Sequence, residues 1–116
     1  MSIKRHHVGK RLSEAVVHGN TVYLAGQVAD DPRLPPRGQT EQVLASIDRL
    51  LGEAGSDKSR ILSATIYLAN IADYAEMNAA WDAWIPQGST PARATVQAQL
   101  FQPQYKVEIM LTAAID

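Results

Sequence analysis

The segment Pro91-Ala92-Arg93-Ala94-Thr95-Val96-Gln97-Ala98-Gln99-Leu100, followed after a short break by Lys106-Val107-Glu108-Ile109-Met110-Leu111, decides how this chain is read. Both runs alternate as half-buried strands must, because successive side chains of a strand point to opposite faces. In the first, Ala94, Val96, Ala98 and Leu100 share one face, while Arg93, Thr95, Gln97 and Gln99 share the other. In the second, Val107, Ile109 and Leu111 oppose Glu108 and Met110. Strands this close in sequence tend to lie near each other in space, so Arg93 and Glu108 are expected to face one shared polar space. They form the candidate site. The plainer alternative is a pair of surface charges or a structural ion pair, which contributes little when exposed.

Working outward from this segment, Ala15-Val16-Val17-His18 and Thr21-Val22-Tyr23-Leu24-Ala25 read as two strands closed by Gly19-Asn20, residues that tolerate positive φ in a hairpin turn. The stretch from Ala29 to Gly38 holds three prolines and a glycine and reads as an irregular surface loop. From Gln39 to Ala54, the residues Val43, Leu44, Ile47, Leu50 and Leu51 recur at helical spacing, and Gly55 supplies a stop. Ile61 to Leu68 is apolar and β-branched enough for a central strand. A second helix is expected to start at a capping box formed by Asp73 and Glu76 and to end at Gly88. Its stripe of Tyr74, Met77, Trp81, Trp84 and Ile85 reads as core. Asn78 lies one turn from both Tyr74 and Trp81, where an amide either bonds nearby backbone or reaches toward a ligand. His6 and His7 belong to a basic opening that reads as a solvated or edge-strand segment, since a metal site needs three or four convergent ligands. The order of elements gives an α+β fold, a mixed sheet with two helices on one face.

Composition narrows the function. With 116 residues the chain is expected to be one domain over residues 1–116, and 46% hydrophobic with 20% charged residues is the balance of a globular protein. A net charge of −1 argues against a nucleic-acid surface. The absence of cysteine excludes disulfides, thiolate nucleophiles and Cys-ligated metals. No export signal or membrane span is read, so a cytoplasmic location is expected. There is no phosphate-binding glycine loop and no metalloprotease helix, and no serine lies close to a histidine in a way that suggests a triad.

Pro91-Ala92-Arg93 with Val107-Glu108-Ile109 fifteen residues after the arginine resembles the signature of the Rid family, the reactive intermediate deaminases also called YjgF proteins. Tyr23-Leu24-Ala25-Gly26-Gln27 is similar to the family's early strand ending in Gly-Gln. Ala54 to Leu62 is similar to its link from first helix to central strand. Met77-Asn78-Ala79-Ala80-Trp81-Asp82-Ala83-Trp84 resembles its second helix, especially in the YoaB-like subgroup. The likeness covers nearly the whole chain in the expected order.

This resemblance implies a chorismate-mutase-like Rid fold, a mainly antiparallel mixed sheet with two helices on one face, assembled as a homotrimer with clefts between subunits. The implied activity is hydrolysis of reactive 2-enamino or 2-imino acids, such as 2-aminoacrylate, to a 2-keto acid and ammonia. No metal or organic cofactor is implied, and neither a membrane nor a nucleic-acid partner is expected. Arg93 would hold the substrate carboxylate with a planar, permanently charged fork. Glu108 would orient the attacking water or move its proton. Asn78, Thr95, Ala25 and Leu12 fall at substrate-binding positions. Three of these depart from the better-known pattern: Leu12 stands for a Tyr, Ala25 for a Ser and Thr95 for a Cys. The competing function is a non-catalytic binding protein that holds a small carboxylate metabolite in the same interface cleft.

Overall fold

Gly19 takes φ 60° in the turn that was expected to close a hairpin, and the strands on either side pair antiparallel with Val17 opposite Val22. These strands are β2 (Ser13–His18) and β3 (Thr21–Gln27) of a computed structural model that describes residues 1–116. The opening segment, β1 (Ile3–Val8), pairs with β2 as an edge strand. Two further strands, β4 (Ile61–Leu68) and β5 (Ala92–Gln97), run parallel to each other, and β6 (Val107–Ala114) lies between β3 and β4. The six strands thus form one mixed sheet in the order β1-β2-β3-β6-β4-β5, in which only the β4–β5 pair is parallel. That parallel step requires a crossover, and the second helix supplies it.

Both helices cover the same face. Helix α1 (Pro36–Ala54) buries Val43, Leu44, Ile47, Leu50 and Leu51 against the sheet, which is the stripe the spacing marks out. It starts three residues earlier than the sequence suggests, because Pro36 sits in the first turn, where a missing N–H and a fixed φ are tolerated. Gly55, at φ 86°, ends it in a left-handed cap in which the Ser56 N–H reaches the Leu51 carbonyl at 2.8 Å. Helix α2 (Tyr74–Trp84) differs more from expectation. Asp73 makes no side-chain cap; instead Asn70 accepts from the Ala72 N–H and caps a short 3₁₀ turn, Ile71–Asp73, that leads into the helix. The helix stops at Trp84 rather than near Gly88, since Pro86 forces Ile85 into extended backbone. Met77, Trp81 and Ile85 are buried as expected, but Tyr74 is 45% exposed and takes no part in the core. Trp84 is half-buried, and its indole N–H donates to Asp48 of α1 at 2.9 Å.

One buried polar side chain, unmarked by sequence pattern, ties two loops together. The Gln39 amide nitrogen donates to the carbonyls of Pro32, Leu34 and Gln104, and its oxygen accepts from the Lys106 N–H at 2.9 Å. The long proline-bearing loop and the β5–β6 connection are therefore fixed to α1 by a single amide whose polar atoms are all paired.

The other face of the sheet has no helix on it. Tyr23, Val96 and Met110 are 46%, 41% and 50% exposed there. The alternation in β5 holds, but with its apolar set outward: Ala94 and Val96 lie on the open face, and Arg93 and Thr95 turn half-buried toward the helices. No helix of the structure is long and apolar enough to cross a membrane.

Candidate functional site

Arg93 faces Ala64 of β4 in the parallel ladder, and Ala64 faces Leu111 of β6. Residues paired this way share a face, so the Arg93 side chain emerges on the helix side of the sheet. There it meets three residues of α2 spaced to lie on one stripe. Its Nη1 donates to Asn78 Oδ1 at 2.9 Å and its Nη2 to the Tyr74 hydroxyl oxygen at 3.2 Å. Its Cζ lies 5.2 Å from the centre of the Trp81 ring and 5.9 Å from that of Tyr74, within the range of cation–π attraction. The guanidinium is thus held by packing and by two hydrogen bonds, with three of its five N–H donors still available. A pocket of about 290 Å³ opens beside it, lined by Asn78, Trp81, Asp82, Thr90, Pro91 and Arg93. The Asn78 amide and then the Arg93 charge hold the Tyr74 hydroxyl below the usual phenol range.

Thr95, two residues along β5 on the same face, keeps a buried hydroxyl oxygen with no hydrogen-bond partner. Asn78 answers the question the sequence left open: its amide bonds a guanidinium instead of nearby backbone.

Glu108 lies elsewhere. It pairs with Tyr67 of β4, which in turn pairs with Val96, so its side chain emerges on the open face. From the register, Arg93 and Glu108 are two strands and three residues apart, roughly 14 Å between backbones, and they point to opposite sides. The shared polar space expected of them does not exist within one chain. Alternation told which residues go together in each strand, but the register between strands set the two charges on different faces.

Around Glu108, β3 carries an irregularity between Leu24 and Gln27, where three steps on one strand oppose two on the other. Ala25 and Gly26 occupy it. The carboxylate rests against Gly26, where a Cβ would collide with it. Burial raises the Glu108 carboxyl above its ordinary value. Leu12 lies 56% exposed in the turn between β1 and β2, where its carbonyl accepts from the Gly9 N–H. The expected site residues therefore divide into Arg93, Asn78 and Thr95 on the helix side, Glu108 and Ala25 on β6 and β3, and Leu12 at the β1–β2 turn. Sequence reading missed Tyr74 and Trp81 as partners of Arg93 because both fit a core stripe. The signal was present in their spacing from Asn78.

A mixed sheet covered on one face by two helices is the architecture of a small α+β class seen repeatedly among solved proteins. The chain belongs to the family described as Endoribonuclease L-PSP, whose model matches residues 3–115, and within it to the Rid, or YjgF, proteins of the YoaB-like subgroup. It is 48% identical over 115 residues to the RutC family protein YoaB of Escherichia coli strain K12, covering 99% of this chain and 100% of that one. The crystal structure of a YjgF family member from Neisseria meningitidis superposes with a TM-score of 0.97 at 46% identity, covering 100% of this chain and 97% of that one. More distantly, the chain is 36% identical over 103 residues to the 2-iminobutanoate/2-iminopropanoate deaminase of Capra hircus, covering 84% of this chain and 74% of that one.

Proposed function

We propose that the protein hydrolyses small 2-imino or 2-enamino acids to 2-keto acids and ammonia, in a cleft completed by a second copy of the chain within a homotrimer. The observation that carries this reading is the clamped guanidinium: Arg93 lies over the Trp81 ring, is bonded to Asn78, and is open to a pocket sized for a small acid. A planar fork with paired free donors suits a carboxylate. The deaminase activity named for the goat relative agrees with such a ligand.

A substrate that touches both Arg93 and Glu108 requires two chains, since one chain holds them on opposite faces. The apolar open face, with Tyr23, Val96 and Met110 exposed, supports a neighbour seated on it. In this arrangement Arg93 of one copy binds the carboxylate, and Glu108 of another takes a proton from water as the oxygen attacks the iminium carbon. Glu108 returns that proton to the nitrogen of the resulting carbinolamine, the C–N bond breaks as the hydroxyl oxygen forms the C=O bond and gives its own proton back to Glu108, ammonia leaves, and the 2-keto acid remains. A carboxyl raised by burial is a stronger base once ionised, which suits this task near neutral pH.

The binding-protein reading is favoured by one observation, that Glu108 is absent from the Arg93 pocket of its own chain. The RNA cleavage implied by the family description finds little support in a chain with 11 basic and 12 acidic residues. The deciding experiment generates an imino acid in the presence of purified protein and follows keto acid release. Release no faster than without protein, together with retained keto acid binding, makes the protein a binder.

A further inference from the structure

Tyr74 is at odds with its place in the chain. It begins α2 on the stripe that otherwise enters the core, yet it is 45% exposed, and its hydroxyl oxygen is spent on a guanidinium. A phenol has one proton to donate and two lone pairs to accept with. Because Arg93 Nη2 donates to the oxygen at 3.2 Å, the phenol proton is directed away from the cation. We infer that the Tyr74 hydroxyl is a ligand contact of the Arg93 site, donating its proton to one oxygen of the carboxylate that Arg93 binds.

This rests on reading the Arg93 pocket as an acid site and adds a third donor at its margin: Tyr74 is not one of the residues that line the pocket, and it reaches the site through the guanidinium it shares. Tyr74, Asn78 and Trp81 stand four and three residues apart on α2, so all three reach the same guanidinium. Trp81 lies under the cation, Asn78 takes one N–H, and Tyr74 turns another N–H into an O–H free to point outward. Hydrogen bonds in such a chain reinforce one another: accepting from a cation makes the phenol a better donor to an anion. The lowered range of the Tyr74 hydroxyl, set by Asn78 and Arg93, agrees with this. A carboxylate, with two equivalent oxygens, satisfies both the guanidinium and the phenol. An amide or ester accepts the same donors without the negative charge that strengthens each bond, so the device selects acids over their neutral derivatives.

The test is calorimetric titration of 2-oxobutanoate into wild type, Tyr74→Phe, Arg93→Ala and Arg93→Lys between pH 7 and 10. The charged groups facing the phenol are Arg93 of β5 and Asp82 of α2. At pH 7 Tyr74→Phe is expected to bind about tenfold more weakly, the loss typical of a hydrogen bond to a charged group. Wild-type affinity should fall as pH rises toward 10, because the phenolate has no proton to donate, and Tyr74→Phe should lack that fall. Equal binding by Tyr74→Phe and wild type, with binding lost in both arginine variants, overturns the inference and leaves the acid site standing. Weaker binding by Tyr74→Phe with the alkaline fall intact also overturns it, making Tyr74 a residue that only positions Arg93. Unchanged binding in Arg93→Ala removes the acid site itself.

Discussion

The Glu108 carboxylate lies over the α-carbon of Gly26 on the neighbouring strand, in the space a side chain would occupy. The Gly26 backbone is not left-handed, so the requirement for glycine there is purely spatial. The obstructing atoms are the far end of a flexible side chain, which can move at small cost. Gly26→Ala is therefore expected to keep the fold, losing less than about 2 kcal/mol of stability, while displacing the carboxylate and lowering turnover by about tenfold or more. Melting curves measured beside keto acid release check the two halves of this statement.

Glu108 should also mark the pH dependence of stability. Burial raises its folded value above the ordinary 4.5, so the native state holds the proton more tightly than the unfolded chain does. That contribution is fully present below the unfolded value and is lost as pH rises through the raised folded one. Glu108→Gln removes the charge that has to be buried. Its melting temperature should match that of wild type near pH 4 and exceed it at pH 7. A constant difference across this range would show that ionisation of Glu108 does not burden the fold.

If the cleft combines Arg93 of one copy with Glu108 of the next, two inactive variants can repair each other. Arg93→Ala and Glu108→Gln proteins, unfolded together and refolded at equal amounts, should recover about one working site in four, because each interface draws its two halves independently. Either variant refolded alone should stay inactive. Failure of the mixture to exceed the separate variants, with mixed assemblies confirmed by mass, argues for a site within one chain.

Gln39 offers a prediction away from the site. Its amide holds four backbone groups, and Gln39→Ala leaves them unpaired in a buried place, at a cost of about 3 kcal/mol or more. Denaturant unfolding measures that cost, and hydrogen exchange should show residues 98–106 loosening with residues 29–35.

Much of the fold is legible in the sequence because local rules and global packing agree. Gly19-Asn20 specifies its turn, Gly55 its helix stop, and the stripe from Val43 to Leu51 its buried face. The second helix was harder because Pro86, not Gly88, ends it, and because Tyr74 fits the apolar stripe while reaching for a cation. The family motif identified Arg93 and Glu108 correctly as strand residues. Their separation was hidden because alternation carries no information about which face the helices cover. In β5 the apolar residues Ala94 and Val96 face outward, and Arg93 enters the helix side because Trp81, Tyr74 and Asn78 receive its stem and head.

The position of β5 has one more consequence. It is one of the two outermost strands and is joined to the sheet by a single parallel ladder with β4. Parallel ladders are slightly less stable per residue, and strands with one neighbour open first in local fluctuations. The guanidinium thus rides on a margin of the molecule that frays most readily, whereas the carboxylate sits on β6, held between two strands. In an isolated chain the two would loosen at different rates, Arg93 well before Glu108. A neighbour lying across Ala94 and Val96 would clamp that margin, so gaining a partner and gaining a rigid anchor would be one event.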